Sequence, residues 1–183
     1  MIVLAGASAS GKTEAAKLLA SKYGITKVIT TTTRPMRQNE VNGRDYFFVT
    51  KEQFEKMIEE NRFVEYTLYN GNMYGSTKDQ ISSDKCVVID PAGLKAYISL
   101  NDPNIITFFL DSTEETRYKR MLERGDAEDC AKSRIEHDRK AFIKELLPIV
   151  DYHINTEILN VEEVADMIYK VYKEELLKKN KNK

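Results

Sequence analysis

The chain has no tryptophan, two cysteines, two histidines and four prolines in its 183 residues. Each scarcity excludes something. Cys86 and Cys130 are far apart and match no metal pattern, so they read as reduced thiols of a cytoplasmic protein, with no signal peptide visible. His137 and His153 do not make a metal site; each fits a surface or strand position. No apolar stretch approaches membrane-spanning length, so no membrane partner is expected. An excess of one charge is also missing. Twenty-eight Lys and Arg face 29 Asp and Glu for a net charge of −1, so nothing marks the whole molecule as a binder of nucleic acid. What is present is ordinary for a folded domain: 42% hydrophobic and 31% charged residues, enough for one α/β core with a sizeable insertion. The expected assembly is a monomer or a homodimer.

Glycine is also sparse, eight in all, and two of the eight frame one motif. Gly6-Ala7-Ser8-Ala9-Ser10-Gly11-Lys12-Thr13 fits G-x-x-x-x-G-K-[ST] without mismatch. An apolar run, Ile2-Val3-Leu4-Ala5, precedes it, and Ala15, Ala16, Leu18 and Leu19 follow at helical spacing. That is the strand–loop–helix setting of a phosphate-binding loop. Backbone N–H groups can form a nest for phosphate oxygens, and the helix N-terminus adds a favourable dipole. Lys12 can reach the β- and γ-phosphates of a nucleoside triphosphate, and the Thr13 hydroxyl can ligate Mg²⁺.

Apolar runs alternate with helical patterns, which predicts a parallel sheet with helices on its faces. The expected strands are Ile2–Ala5, 27–30, 86–90, 105–110 and Tyr152–Asn155. Three helix starts are legible. Thr50-Lys51-Glu52-Gln53 and Ser112-Thr113-Glu114-Glu115 both spell a capping box, and Asn160 can cap a helix with Glu162 and Glu163 in its first turn. The basic tail from Lys178 to Lys183 reads as a solvated helix end.

Residues 31–82 interrupt the alternation. They hold short β-like pieces at 46–49 and Phe63–Tyr69 around one helix at 51–60, and are rich in Tyr, Arg, Thr, Asn and Gly. Insertions of this kind commonly carry a substrate site. Arg34 and Arg37, preceded by four threonines, suit a dianionic phosphate, because guanidinium forks bind phosphate oxygens bidentately. Tyr46 and Tyr74 could add phenolic donors.

The chain resembles the guanylate kinases. The resemblance rests on Thr31-Thr32-Thr33-Arg34-Pro35, on Glu40-Val41-Asn42-Gly43-Arg44-Asp45-Tyr46-Phe47-Phe48-Val49, on Phe63-Val64-Glu65-Tyr66 and on Gly71-Asn72-Met73-Tyr74-Gly75-Ser76, in matching order and spacing. It implies a P-loop kinase of α/β class: a parallel core sheet flanked by helices (1–30, 83–111 and 141–183), a mixed α+β GMP-binding insertion (31–82) and a helical lid region (112–140). It implies transfer of the γ-phosphate of ATP to GMP, and to dGMP, with Mg²⁺ as cofactor. By the same resemblance Gly6 to Thr13 would bind ATP. Arg34, Arg37, Tyr46 and Tyr74 would grip the GMP phosphate. Glu65 would face the guanine base, with Ser76 and Thr30 nearby. Asp90 would lie close to the acceptor and reach the metal through water. Arg120, Arg124 and Arg134 would join Lys12 and Arg34 in catalysis.

The chemistry of these residues agrees with the implied roles. Guanine presents N1–H and an amino group on one edge, and an ionised carboxylate is acceptor-only. Adenine offers a lone pair at N1 instead. Arg120 and Arg124 share one helix face, whereas Arg117 and Lys119 fit a solvated basic stripe. The chain departs from the resembled pattern at Ala9, where glycine is usual, and at Val88, where an acidic residue is usual. Two other readings remain. A non-catalytic protein-binding module of the same fold typically has a damaged loop, and Gly11-Lys12-Thr13 is intact. A kinase acting on a phosphorylated sugar would have no use for Glu65.

Overall fold

A computed structural model describes residues 1–143 and 146–181. Residues 144–145 and 182–183, which the sequence reading gave to the core and its basic tail, lie outside the described residues.

The fold is organised by strand β1 (Ile2–Ala5), which is buried on both faces. Successive side chains of a strand point to opposite sides. Ile2 and Leu4 pack with Ala15, Ala16 and Leu19 of helix α1 (Lys12–Tyr23) and with Val164, Ile168 and Tyr172 of helix α6 (Val161–Lys181). Val3 and Ala5 pack on the other side with Leu94 and Tyr97 of helix α3 (Pro91–Ser99). A strand covered on both sides has no polar face, which is why this segment reads as a continuous apolar run. Strands β2 (Thr26–Lys27), β7 (Lys85–Val88), β8 (Ile106–Asp111) and β9 (Tyr152–Asn155) complete a wholly parallel sheet in the order β2-β7-β1-β8-β9. The phosphate loop therefore leaves the central strand at its carboxyl end, the edge where open α/β sheets bind ligands.

The expected strand over 27–30 is cut short. The Val28 N–H still donates to the Cys86 carbonyl at 2.9 Å. Ile29 then turns away, its N–H and C=O both taken by the Gln80 side chain at 2.8 and 2.5 Å. The expected strand over 86–90 stops at Val88, and Asp90 is instead the N-cap of α3. Its Oδ1 accepts from the Gly93 N–H at 2.8 Å, and Pro91 fills the first helical position.

Residues 31–82 build a second sheet in the order β4-β3-β6-β5, from β3 (Thr31–Thr32), β4 (Phe47–Phe48), β5 (Phe63–Tyr69) and β6 (Asn72–Thr77). Strand β5 has the expected bounds, while the piece at 46–49 shrinks to two residues. Helix α2 (Lys51–Glu59) starts on the expected capping box of Thr50 and Gln53. The insertion is seated on the core through Val64 and Ile81, which pack against the cluster that holds Leu94 and Tyr97.

Helices α4 (Glu114–Glu123) and α5 (Glu128–Ala141) form the region at 112–140. The expected capping box at Ser112 is not formed. Thr113 is the cap, accepting from the Thr116 N–H at 3.3 Å. The third helical position is thus Thr116 rather than an acid, and Glu157 supplies the carboxylate by accepting the Thr113 N–H at 2.8 Å. Asn160 and Glu163 do make the reciprocal cap of α6, at 3.0 and 2.8 Å.

Candidate active site

Gly6 holds φ at 144°, and a Cβ there would lie 2.3 Å from the Leu110 carbonyl oxygen, so only glycine fits. Gly11, at φ 93°, is the N-cap of α1. Between them Ala9 also sits at positive φ, 60°. A residue with a Cβ costs roughly 1–2 kcal/mol in that region, so alanine at this left-handed position carries strain that glycine would not. Lys12 curls back over the loop. Its Nζ donates to the carbonyls of Gly6 and Ala7 at 2.6 and 2.7 Å and lies 3.3 Å from Ser10 Oγ. Burial pulls its ammonium down to about 8, opposed by the charge of Asp138 and reinforced by that of Arg117.

Beside the loop lies a cavity of about 460 Å³, lined in part by Lys12, Thr13, Arg120, Arg124, Thr156 and Asn160. Arg120 reaches it from α4, donating to Thr156 Oγ1 at 3.1 Å and to the Thr156 carbonyl at 2.5 Å. Arg124 also lines it, with Nη2 2.6 Å from Asp126. Arg134 shares that aspartate at 3.4 Å but does not line the cavity. Arg117 corrects the sequence reading. It is no solvated stripe residue: it is 5% exposed and ion-paired to Asp138 at 2.7 Å. Lys119, exposed beside Glu123, behaves as the sequence suggested.

The insertion gathers the residues expected on the acceptor side. The Arg34 guanidinium lies over the rings of Tyr46 and Phe48, 5.3 and 5.6 Å from their centres, and Tyr46 meets Tyr74 edge to face at 6.1 Å. Glu40 holds this arrangement. Its Oε1 takes Arg34 Nη2 at 2.6 Å and its Oε2 takes the Arg37 N–H at 2.8 Å. The Arg34 hydrogen bond holds the Glu40 carboxyl below its usual range. The Arg37 side chain is exposed and forms no ion pair among the described residues. Glu65 stands opposite Ser76 in the β5–β6 register and is half-buried. Burial pushes its carboxyl up; Ser76 pulls it down, and the nearby Asp90 charge adds to the rise. Thr30 precedes β3, its carbonyl accepting the Phe47 N–H at 3.0 Å. The Tyr97 hydroxyl is buried without a hydrogen-bond partner among the described residues. Burial raises its phenol; nearby Ser76 opposes the rise and the Glu65 charge adds to it.

Sequence reasoning missed Glu40, Asp138, Thr156 and Tyr97. Glu40 lay inside a quoted motif but carried no assigned role. The other three sit in patterns that read as plain helix face or strand end, and nothing local marks them.

The parallel sheet, the loop at the end of its central strand and the cationic cavity beside it define a P-loop kinase of the α/β class. The family model described as guanylate kinase matches residues 1–171. A guanylate kinase of Fusobacterium nucleatum subsp. nucleatum is 32% identical over 148 residues, spanning 76% of this chain and 80% of that protein. One of Clostridium tetani is 30% identical over 178 residues, spanning 93% and 82%. The crystal structure of guanylate kinase from Anaplasma phagocytophilum superposes with a TM-score of 0.62 at 25% identity, covering 96% of this chain and 85% of that one. The chain belongs to the guanylate kinase family and is a nucleoside monophosphate kinase.

Proposed function

We propose that the chain transfers the γ-phosphoryl group of ATP to GMP, with Gly6 to Thr13 as donor site and residues 31–82 as acceptor unit. The observation that carries the acceptor assignment is Glu65: a half-buried carboxylate, without an ion pair among the described residues, on the strand facing Ser76. It can take both donors of the guanine edge and would meet a lone pair on adenine. Arg34, Tyr46 and Tyr74, joined by Arg37, suit the acceptor phosphate, whose charge would compete with Glu40 for the Arg34 fork.

On the donor side Lys12 exchanges two carbonyl acceptors for charged phosphate oxygens. Arg120 and Arg124 stand where charge accumulates on the transferring group, the kind of contribution worth roughly 10³–10⁵ in rate. Arg134, on the same aspartate as Arg124, is the third lid cation. Mg²⁺ fits this donor set. Thr13 lines the cavity and offers a single hard oxygen there. That suits an ion held largely by substrate phosphates and water. Thr13, with Asp90 through water, would hold it, and when bound it neutralises charge on the β- and γ-phosphates. The region at 112–140 serves as the lid and the remaining described residues as the core. No described helix is long and apolar enough to cross a membrane; the cytoplasm is the proposed location.

The test is a coupled ADP-release assay with GMP, dGMP, AMP and CMP in turn. The expected order is GMP and dGMP far above AMP and CMP. Equal turnover of AMP and GMP would remove the role given to Glu65.

A further inference from the structure

Ser8 is the third residue of the phosphate loop, and its polar contacts lead to the lid rather than to the core. Its N–H donates to Asp138 Oδ2 at 2.9 Å and its hydroxyl to Oδ1 of the same carboxylate at 3.1 Å. Asp138 lies on α5 and is 4% exposed. Arg117 of α4 donates Nη1 to the same Oδ2 at 2.7 Å and also reaches the Ser8 carbonyl at 3.4 Å. One carboxylate thus ties together two helices and the loop, and carries three hydrogen bonds in doing so.

The cost of this arrangement is informative. Both side chains of the pair are 5–6% exposed, and the Arg117 Nε is buried with no hydrogen-bond partner among the described residues. A buried ion pair is often no more stabilising than apolar residues of the same volume. The apolar contacts nearby are few: Met121, Ala131 and Ile135, with Ala9 and Tyr118 against them. More hydrocarbon at 117 and 138 would bind the two helices together as well or better. What hydrocarbon would not supply is an acceptor for the Ser8 N–H. Arg117 also lies one helical turn before Arg120, so the pair that seats Arg117 sets the depth at which Arg120 meets Thr156 and the cavity.

We propose that Arg117 and Asp138 are positioning residues for the triphosphate donor: their buried ion pair fixes Ser8, and through it the curvature of the phosphate loop and the seat of the lid helix that carries Arg120. Neither side chain lines the cavity. The charges of both are felt by Lys12, which places them within electrostatic reach of the loop's own cation. The inference rests on the donor-site reading of residues 6–13.

The experiment measures ATP and GMP dissociation constants by calorimetry, together with kcat, each KM and the urea midpoint. The proteins are the wild type, Asp138→Asn, Arg117→Lys, Ser8→Ala and the double variant Arg117→Met with Asp138→Leu. Asp138→Asn is expected to weaken ATP on the order of 10-fold, the size of coupling seen within one polar network, while GMP binding stays within about twofold. Arg117→Lys keeps the charge and should recover part of the ATP affinity. The double variant should return the urea midpoint to wild type or above without restoring ATP affinity. Ser8→Ala removes one hydroxyl and leaves the pair intact, so it reports even if the charge variants fail to fold; ATP should weaken about threefold. Unchanged ATP affinity in Asp138→Asn or Ser8→Ala would overturn the inference. So would equal losses for ATP and GMP, or full recovery of ATP binding in the double variant, since a merely structural pair would behave that way. If the wild type binds GMP but not ATP, the donor-site reading itself fails, a result distinct from the others.

Discussion

Lys12 on the phosphate loop and Glu65 on the insertion are both drawn out of water, and burial moves each toward its neutral form. Their surroundings differ. Lys12 is satisfied by its own loop, with two carbonyls within 2.7 Å, and the loop is set by backbone geometry at Gly6, Ala9 and Gly11. Glu65 is set by strand register opposite Ser76, and its neighbours on the acceptor side are side chains: Arg34 clamped by Glu40, and Tyr46 against Tyr74. On the proposed assignment, the donor side is then largely a backbone device, held at Ser8 by the Asp138 carboxylate, and the acceptor side is a side-chain device for reading one base. Generic phosphate binding needs only N–H groups and a cation, whereas discrimination between purines needs an acceptor aimed at one edge.

The comparison can be broken first at the donor. Lys12→Ala should lower kcat by roughly 10³-fold, the scale of removing a main electrostatic stabiliser, while GMP affinity by calorimetry stays unchanged; a parallel loss of GMP binding would show that the two sides are not separate. Next, Glu65→Gln should lower kcat/KM for GMP by about 100-fold, because one guanine donor then faces an amide donor, with ATP affinity intact. The same variant should raise the urea midpoint of the free protein at pH 7. The Glu65 carboxyl is raised in the fold, so the folded chain holds its proton more tightly than the unfolded chain, and stability falls as pH rises through that window. Removing the charge removes that loss.

A pH series separates the sides more gently. GMP affinity should fall as pH drops into the raised Glu65 range, because a protonated carboxyl no longer accepts twice. ATP affinity should fall as pH rises past about 8, where Lys12 loses its proton. The stability term of Lys12 runs differently: the folded chain releases this proton at lower pH than the unfolded chain, so stability rises from about pH 8 towards the ordinary lysine value. Titrations of each nucleotide from pH 5 to 9 check both limbs. The smallest effect belongs to Ala9→Gly. Relief of left-handed strain, partly offset by a freer unfolded chain, should stabilise by about 0.5 kcal/mol in urea unfolding. Destabilisation would mean that the Ala9 methyl matters more as packing for the lid cluster of Met121, Ala131 and Ile135.

Much of this was legible residue by residue. The loop, β1, β5, the Thr50 and Asn160 caps and the parallel sheet all follow from local pattern, since each depends on neighbours a few positions away. The errors cluster where a distant partner decides. Ile29 leaves the core sheet because Gln80 takes both of its backbone groups. Thr113 rather than Ser112 caps α4, where Glu157 arrives from the end of the neighbouring strand β9. Arg117 looked like a solvated cation among glutamates, and Asp138, 21 residues on, made it a buried one.

The sequence by itself determined the phosphate loop, the α/β class and the family, because glycine placement, apolar period and motif spacing are local properties of the chain. Tertiary structure alone decided which charges are buried and which of the lid arginines reach the cavity. A helical pattern fixes the face on which a side chain lies but not what stands opposite it, and for a charged group the partner sets whether burial can be tolerated at all.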